Sequence, residues 1–92
     1  KMESNYVVIV SWTGAGVLHN MDQAIGLKRF FPNPEFAELE DYGEACRWAE
    51  KALAECYPGN VYRRHNLSNY SGCYCLFLRE QTGAEGGQRN AG

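Results

Sequence analysis

The fold of this 92-residue chain is decided by residues 16–39, which read GVLHNMDQAIGLKRFFPNPEFAEL. The stretch begins as the end of a strand and continues into a short helix expected over residues 21 to about 30. Asn20 suits the N-cap of that helix, and Gln23, three residues later, completes a capping box. The FPNP sequence at 31–34 predicts a turn, because proline cannot continue a helix and restricts the residue before it.

Two strands are expected on either side of the first turn of the chain. Residues 6–12 are rich in β-branched and aromatic side chains, which is typical of a strand. The TGAG sequence at 13–16 supplies the glycines of a tight hairpin, and residues 17–19 are expected to return as the second strand. Residues 35–40 predict a short edge strand after the FPNP turn.

A second helix follows, with the clearest periodicity in the chain. Asp41 suits its N-cap, and Glu44 stands at the position where a carboxylate favours both the cap and the helix dipole. Apolar residues then recur at helical spacing, which predicts an amphipathic helix that ends at the YPG sequence of 57–59. These residues are Ala45, Trp48, Ala49, Ala52, Leu53 and Cys56.

The last third of the chain predicts two more strands, at 61–63 and 73–78, joined by a polar loop at 64–72. Residues 80–92 are glycine-rich and poor in large apolar side chains, which predicts a disordered tail. The fold class expected is therefore α+β: a small antiparallel sheet of three strands, extended by one or two C-terminal strands and packed against two helices. We expect a single domain over residues 5–79.

Composition restricts the function classes. The net charge of −2 argues against an indiscriminate polyanion binder, which normally carries a basic excess. No apolar run approaches the roughly 18 residues that a membrane span needs, and no signal-peptide layout is present. We therefore expect no membrane association and an intracellular location, either cytoplasmic or nuclear.

The four cysteines do not form a metal-binding pattern. Cys46, Cys56, Cys73 and Cys75 lack the C-x-x-C spacing of a zinc site, so no metal and no cofactor is expected. Cys46 and Cys56 are ten residues apart on one predicted helix, about 15 Å along its axis, and cannot bridge each other. Free buried thiols are favoured over disulfides.

The order of elements resembles the small N-terminal hybrid-binding domain of eukaryotic type 1 ribonuclease H, which is shared with caulimovirus viroplasmin proteins. The resemblance covers roughly residues 5–54 and implies a three-stranded antiparallel sheet packed by helices. The residues that carry it are Tyr6, Val7, Val8, Gly14, Gly16, Val17, Phe31, Pro32, Phe36, Leu39, Glu44, Ala45 and Trp48.

The resemblance also implies a ligand, an RNA/DNA hybrid or double-stranded RNA. In the family, an aromatic residue at the start of the first helix and an aromatic-Lys-Lys run on the third strand form the binding face, which suits recognition of an A-like duplex by its shape. This chain keeps Phe36 but has Met21 in place of the helix aromatic. Ala37 and Glu38 stand in place of the two lysines. The resemblance therefore implies a binding module with weakened phosphate contacts.

Nucleic-acid binding is the leading functional hypothesis, and no enzymatic activity is expected because no catalytic cluster is evident. The candidate nucleic-acid-binding residues are Met21, Lys28, Arg29, Phe36, Arg63 and Arg64. Phe30, Tyr62 and Trp12 are further flat side chains that could contact a nucleic acid. The alternative is a protein-protein interaction or self-association module, with a protein partner or a homodimer formed through the edge of the apolar strand at 73–78.

Overall fold

Five antiparallel strands form one sheet in the computed structural model, which describes residues 6–67 and 72–80. The strands lie across the sheet in the order β3-β1-β2-β5-β4. The elements along the chain are β1 (Tyr6–Ser11), β2 (Gly14–Leu18), α1 (Met21–Gly26), β3 (Glu35–Leu39), α2 (Tyr42–Cys56), β4 (Tyr62–Asn66) and β5 (Cys73–Arg79). The expected α+β class is confirmed: a three-stranded unit is extended by two C-terminal strands and packed with two helices.

Each face of the sheet is covered by one helix. Successive side chains of β1 point to opposite faces, so each helix buries a different set of them. Val8 and Val10 are buried against α2, the longer helix, through its alanine-rich stripe. Val7 and Ile9 are buried in a smaller cluster on the side of α1. We call these the α2 face and the α1 face. Within residues 6–67 and 72–80, no helix has both the length and the apolar composition that a membrane crossing requires.

Both helices begin at the predicted caps. The Asn20 side chain accepts a hydrogen bond from the backbone N–H of Gln23 at 2.9 Å, and that of Asp41 accepts one from Glu44 at 2.9 Å. A cap of this kind satisfies a backbone donor that has no partner within the helix. The local sequence therefore determines where each helix starts.

The end of α1 differs from the prediction, because the helix ends at Gly26 rather than near Phe30. Beyond it, the backbone N–H of Lys28 donates to the carbonyl of Ile25, three residues back, and Phe31 does the same to Lys28. Such bonds belong to a series of tight turns rather than to an α-helix. Gly26 favours this change, since glycine is among the weakest helix formers.

The C-terminal strands also differ from the prediction. β4 continues to Asn66, so residues 64–66, expected in a loop, are paired with β5. β5 lies between β2 and β4 and is paired on both sides. Pairing with another chain through the edge of β5 is therefore ruled out, because this strand has no open edge. The tail predicted to be disordered falls, from residue 81 onward, outside the described residues.

Candidate nucleic-acid interface

The face suggested by the family resemblance is largely closed. Met21 and Phe36 are half-buried, because both side chains pack into the apolar cluster beneath α1. Glu38, which is exposed, lies two residues from Phe36 on β3 and therefore points to the same face of the sheet. A carboxylate at this position repels phosphate, so this part of the α1 face is poorly suited to a nucleic acid.

The four predicted cations do not form one group, because Arg63 and Arg64 are neighbours on a strand and point to opposite faces. Arg63 pairs across from Leu78 and lies on the α1 face. Arg64 lies on the α2 face, where its guanidinium is 5.6 Å from the centre of the Phe77 ring. Its Nη2 also donates to the Cys46 sulfur at 3.4 Å. Arg64 therefore belongs to the interface between α2 and the sheet.

A different surface brings apolar and basic side chains together, at the end of the sheet where β1 turns into β2. Trp12 lies in that turn, and the Thr13 hydroxyl donates to the carbonyl of Phe30 at 2.9 Å. The Thr13 carbonyl accepts from the N–H of Arg79 at 3.1 Å. These bonds place the residues that follow α1 and the end of β5 against the same turn.

The strand register extends this surface across the sheet. Gly14 pairs with Leu78, and Leu78 pairs with Arg63, so β2, β5 and β4 contribute one row. The carbonyl of Val61 accepts from the N–H of Glu80 at 2.7 Å, which places Val61 beside the end of β5. We call this surface the hairpin-end patch. The patch lies around the end of the sheet rather than on one face, because Leu78 and Arg63 point to the α1 face and the neighbouring Arg79 points to the other. It comprises the exposed apolar side chains Trp12, Phe30, Val61 and Leu78 and the basic side chains Arg29, Arg63 and Arg79, with Lys28 two residues before Phe30 in the sequence.

The basic side chains of the patch lie next to its rings. The Arg29 guanidinium is 5.3 Å from the centre of the Phe30 ring, and that of Arg79 is 5.4 Å from the centre of the Trp12 ring. Both distances are those of cation–π contacts. The Nε of Arg63 is 2.7 Å from a carboxylate oxygen of Glu80, in an exposed ion pair. With Glu80 counted, the patch still holds more cations than carboxylates, in a chain whose net charge is −2.

Two further hydrogen bonds position the tryptophan side of the patch. The Tyr62 hydroxyl donates to the Trp12 carbonyl at 2.7 Å, and the Arg79 Nε donates to the Asn60 side-chain oxygen at 3.0 Å. Burial raises the pKa of Tyr62, which keeps its hydroxyl protonated and able to donate. Both bonds join residues far apart in the sequence, so the patch depends on the folded sheet.

Of the six residues predicted as candidates, Arg29 and Arg63 lie in the hairpin-end patch, and the exposed Lys28 stands in the tight turns that precede Phe30. Sequence reasoning proposes the rings of Trp12 and Phe30 as flat surfaces, but it misses Arg79. The sequence signal for Arg79 is weak, since it consists only of an arginine that follows the last apolar residue of a predicted strand. Only the pairing of β5 with β2 brings that arginine to the tryptophan.

Comparison with protein-family models, with curated protein sequences and with solved structures finds no match for this chain. Its function is therefore inferred from the residues and from their arrangement in space.

Proposed function

We propose that this protein is a non-catalytic module that binds an RNA/DNA hybrid or double-stranded RNA through the hairpin-end patch. The observation that carries the proposal is that two exposed rings, each with an arginine over it, are tied to the same turn. Arg79 lies over Trp12 and Arg29 over Phe30, and both Phe30 and Arg79 are hydrogen-bonded to Thr13. The resemblance of residues 5–54 to hybrid-binding domains supports the ligand class.

The chemistry of the patch suits the backbone of a nucleic acid. Phe30 is 60% exposed and Trp12 is 46% exposed, so both rings offer apolar area to sugars or to unpaired bases. Arg29 lies at one side of the patch, and Arg63 lies on β4, two strands from Gly14 and therefore about 10 Å across the sheet. Cations on both sides of an apolar centre can bind phosphates while the rings contact the sugars between them.

The test is a fluorescence-anisotropy titration with an RNA/DNA hybrid, double-stranded RNA, double-stranded DNA and single-stranded RNA of one sequence, at several salt concentrations. We expect binding to the hybrid or to double-stranded RNA in preference to DNA, with an affinity that falls as salt rises. Equal binding to all four probes would contradict duplex recognition. Absence of binding at low salt and high protein concentration would overturn the proposal.

A pair of charge-reversal variants locates the interface. R29E/R63E reverses two cations of the patch, and we expect it to lower the affinity at least tenfold and to flatten the salt dependence. R47E/K51E makes the same change in net charge on the exposed side of α2 and serves as the matched control. Equal losses in the two variants would show that net charge, rather than the patch, governs binding.

Self-association is a second candidate function, favoured by the charges on the two edge strands of the described sheet. β3 carries Glu35 and Glu38, whereas β4 carries Arg63 and Arg64. Pairing two β3 edges or two β4 edges brings like charges together, which is unfavourable. Pairing β3 of one copy with β4 of the next brings opposite charges together, so association of this kind runs head to tail.

Sedimentation velocity at several protein concentrations tests self-association. We expect E35K/E38K alone and R63E/H65E alone to be monomeric. An equimolar mixture of the two should associate, because the basic β3 edge of the first variant can then pair with the acidic β4 edge of the second. A strictly monomeric wild-type protein, or a mixture that stays monomeric, would contradict this candidate. E35K/E38K leaves the hairpin-end patch unchanged and should therefore keep nucleic-acid binding, whereas R63E/H65E alters one patch residue, Arg63. The sedimentation is done without nucleic acid, so its outcome does not depend on that binding.

A further inference from the structure

Two cysteine side chains meet between α2 and the sheet. Cys46 lies on α2, Cys75 lies on β5, and their sulfur atoms are 4.0 Å apart. Cys75 is fully buried and Cys46 is 5% exposed. Both thiols are free, as are Cys56, which is exposed, and Cys73, which is half-buried. Because a disulfide needs its sulfurs about 2.05 Å apart, an approach of about 2 Å would join this pair.

We propose that Cys46 and Cys75 form an oxidation site, at which hydrogen peroxide or a comparable two-electron oxidant produces a disulfide that links α2 to β5. The Cys46 sulfur attacks one peroxide oxygen, the O–O bond breaks, and a sulfenic acid and one water form. The Cys75 sulfur then attacks the sulfenic sulfur, and its thiol proton leaves with the hydroxyl as a second water. Two thiols are oxidised and one peroxide is reduced to two waters.

The surroundings of the pair assign the order of the two steps. Arg64 Nη2 donates to the Cys46 sulfur at 3.4 Å, and a cation there stabilises the negative charge that develops on sulfur during attack. Arg64 is exposed and lines an open cleft of about 270 Å³ together with Tyr62 and Phe77. Burial raises the pKa of Cys75 to about 11, so Cys75 keeps its proton at neutral pH. Cys46 therefore reacts first and Cys75 second.

The remaining cysteines do not offer a comparable pair. Cys73 lies two residues from Cys75 but packs into the cluster on the α1 face, whereas Cys75 packs on the α2 face. Cys56 is exposed at the end of α2, ten residues from Cys46 on the same helix. Oxidation within one chain should therefore select Cys46 and Cys75, although Cys56 is more accessible.

The experiment treats the folded, reduced full chain with hydrogen peroxide and follows the intact mass, the number of free thiols and the disulfide-linked peptides. We expect two thiols to be lost, a peptide that joins Cys46 to Cys75, and full reversal by dithiothreitol. The thermal unfolding midpoint should rise by roughly 10 °C on oxidation, because the bond closes a loop of about 30 residues.

Serine variants keep the test decisive. C56S/C73S retains the buried pair and should still form the intramolecular disulfide with the same rise in unfolding midpoint. C46S/C56S/C73S, which leaves Cys75 alone, should show neither. If peroxide modifies only Cys56 or Cys73 in the folded wild type, or if the linked peptide joins other cysteines, the proposal is overturned. A bond that forms only after unfolding in urea would overturn it as well.

Discussion

The guanidinium of Arg79 lies over the indole ring of Trp12, 5.4 Å from the ring centre, although 66 residues lie between the two in the sequence. Arg79 donates a hydrogen bond to Asn60, and Tyr62 donates one to the Trp12 carbonyl. The ring is therefore held on one side and exposed elsewhere. A ring positioned in this way loses little freedom on binding a ligand, which favours affinity.

Replacing this ring should weaken nucleic-acid binding. We expect Trp12→Ala to lower the affinity for the best duplex about tenfold, since contacts of one aromatic side chain with a nucleic acid are worth about 1–3 kcal/mol. Trp12→Phe should retain most of the affinity. Ile25→Ala is the matched control, because Ile25 is similarly exposed but lies outside the patch. An equal loss in I25A, measured by anisotropy, would contradict a role of the ring.

The glycine that starts β2 should be indispensable for stability. Gly14 has a φ of +150°, and a Cβ at this position would overlap the carbonyl oxygen of Phe77 on β5. We expect Gly14→Ala to lower the free energy of unfolding by about 2 kcal/mol or more, measured by urea denaturation. Gly26→Ala is the contrasting change. Its Cβ would meet open space at the end of α1, and alanine favours helix, so we expect a gain of up to about 1 kcal/mol.

The N-cap of α2 gives a prediction that separates a hydrogen bond from a charge. The Asp41 carboxylate accepts from the N–H of Glu44 at 2.9 Å. Asp41→Ala should lower the free energy of unfolding, measured by urea denaturation, by about 1 kcal/mol, because that donor loses its partner. Asp41→Asn keeps an acceptor and should cost a few tenths of a kcal/mol. If D41N were as unstable as D41A, the negative charge near the helix N-terminus would matter more than the hydrogen bond.

The sequence predicts well whatever depends on neighbouring residues. Asn20 and Asp41 mark the helix starts because a cap acts within three residues, and the alanine stripe of α2 marks its buried side by periodicity alone. The prediction for the end of α1 is wrong by about one turn, because Pro32 is the stronger stop signal in the sequence, whereas the chain leaves the helix after Gly26. There a difference of about 1 kcal/mol in propensity decides between a helix and tight turns.

The candidate site is predictable only in part, because it depends on strand register. Arg63 and Arg64 are adjacent in the sequence, which suggests one basic group. Side chains alternate along β4, however, so the two arginines point to opposite faces. The apolar pattern of 73–78 predicts a strand without indicating its neighbours. Its pairing with both β2 and β4 could not be derived locally, since these contacts join residues about 60 positions apart in the first case and 9 to 17 apart in the second. Arg79 reaches Trp12 only through that pairing.

Burial of Cys75 predicts a loss of stability at alkaline pH. Its pKa rises from the usual 9.0 to about 11 in the folded protein, with desolvation as the largest cause. Above pH 9 the unfolded chain releases the thiol proton while the folded protein keeps it, so the unfolded state binds fewer protons and the free energy of unfolding falls as pH rises. We expect a loss of about 1 kcal/mol between pH 8 and pH 10 from this group.

Urea denaturation at pH 8 and pH 10 under reducing conditions measures this difference. Burial also raises the pKa values of Cys73, Tyr42 and Tyr62, which contribute in the same direction, so the contribution of Cys75 is the difference between the wild type and Cys75→Ala. In Cys75→Ala the pH-dependent loss should shrink by about 1 kcal/mol, whatever the variant's stability at pH 8. Cys56→Ala removes an exposed thiol and should keep the wild-type loss. If C75A lost as much stability as the wild type between the two pH values, the buried thiol would not be the group that titrates.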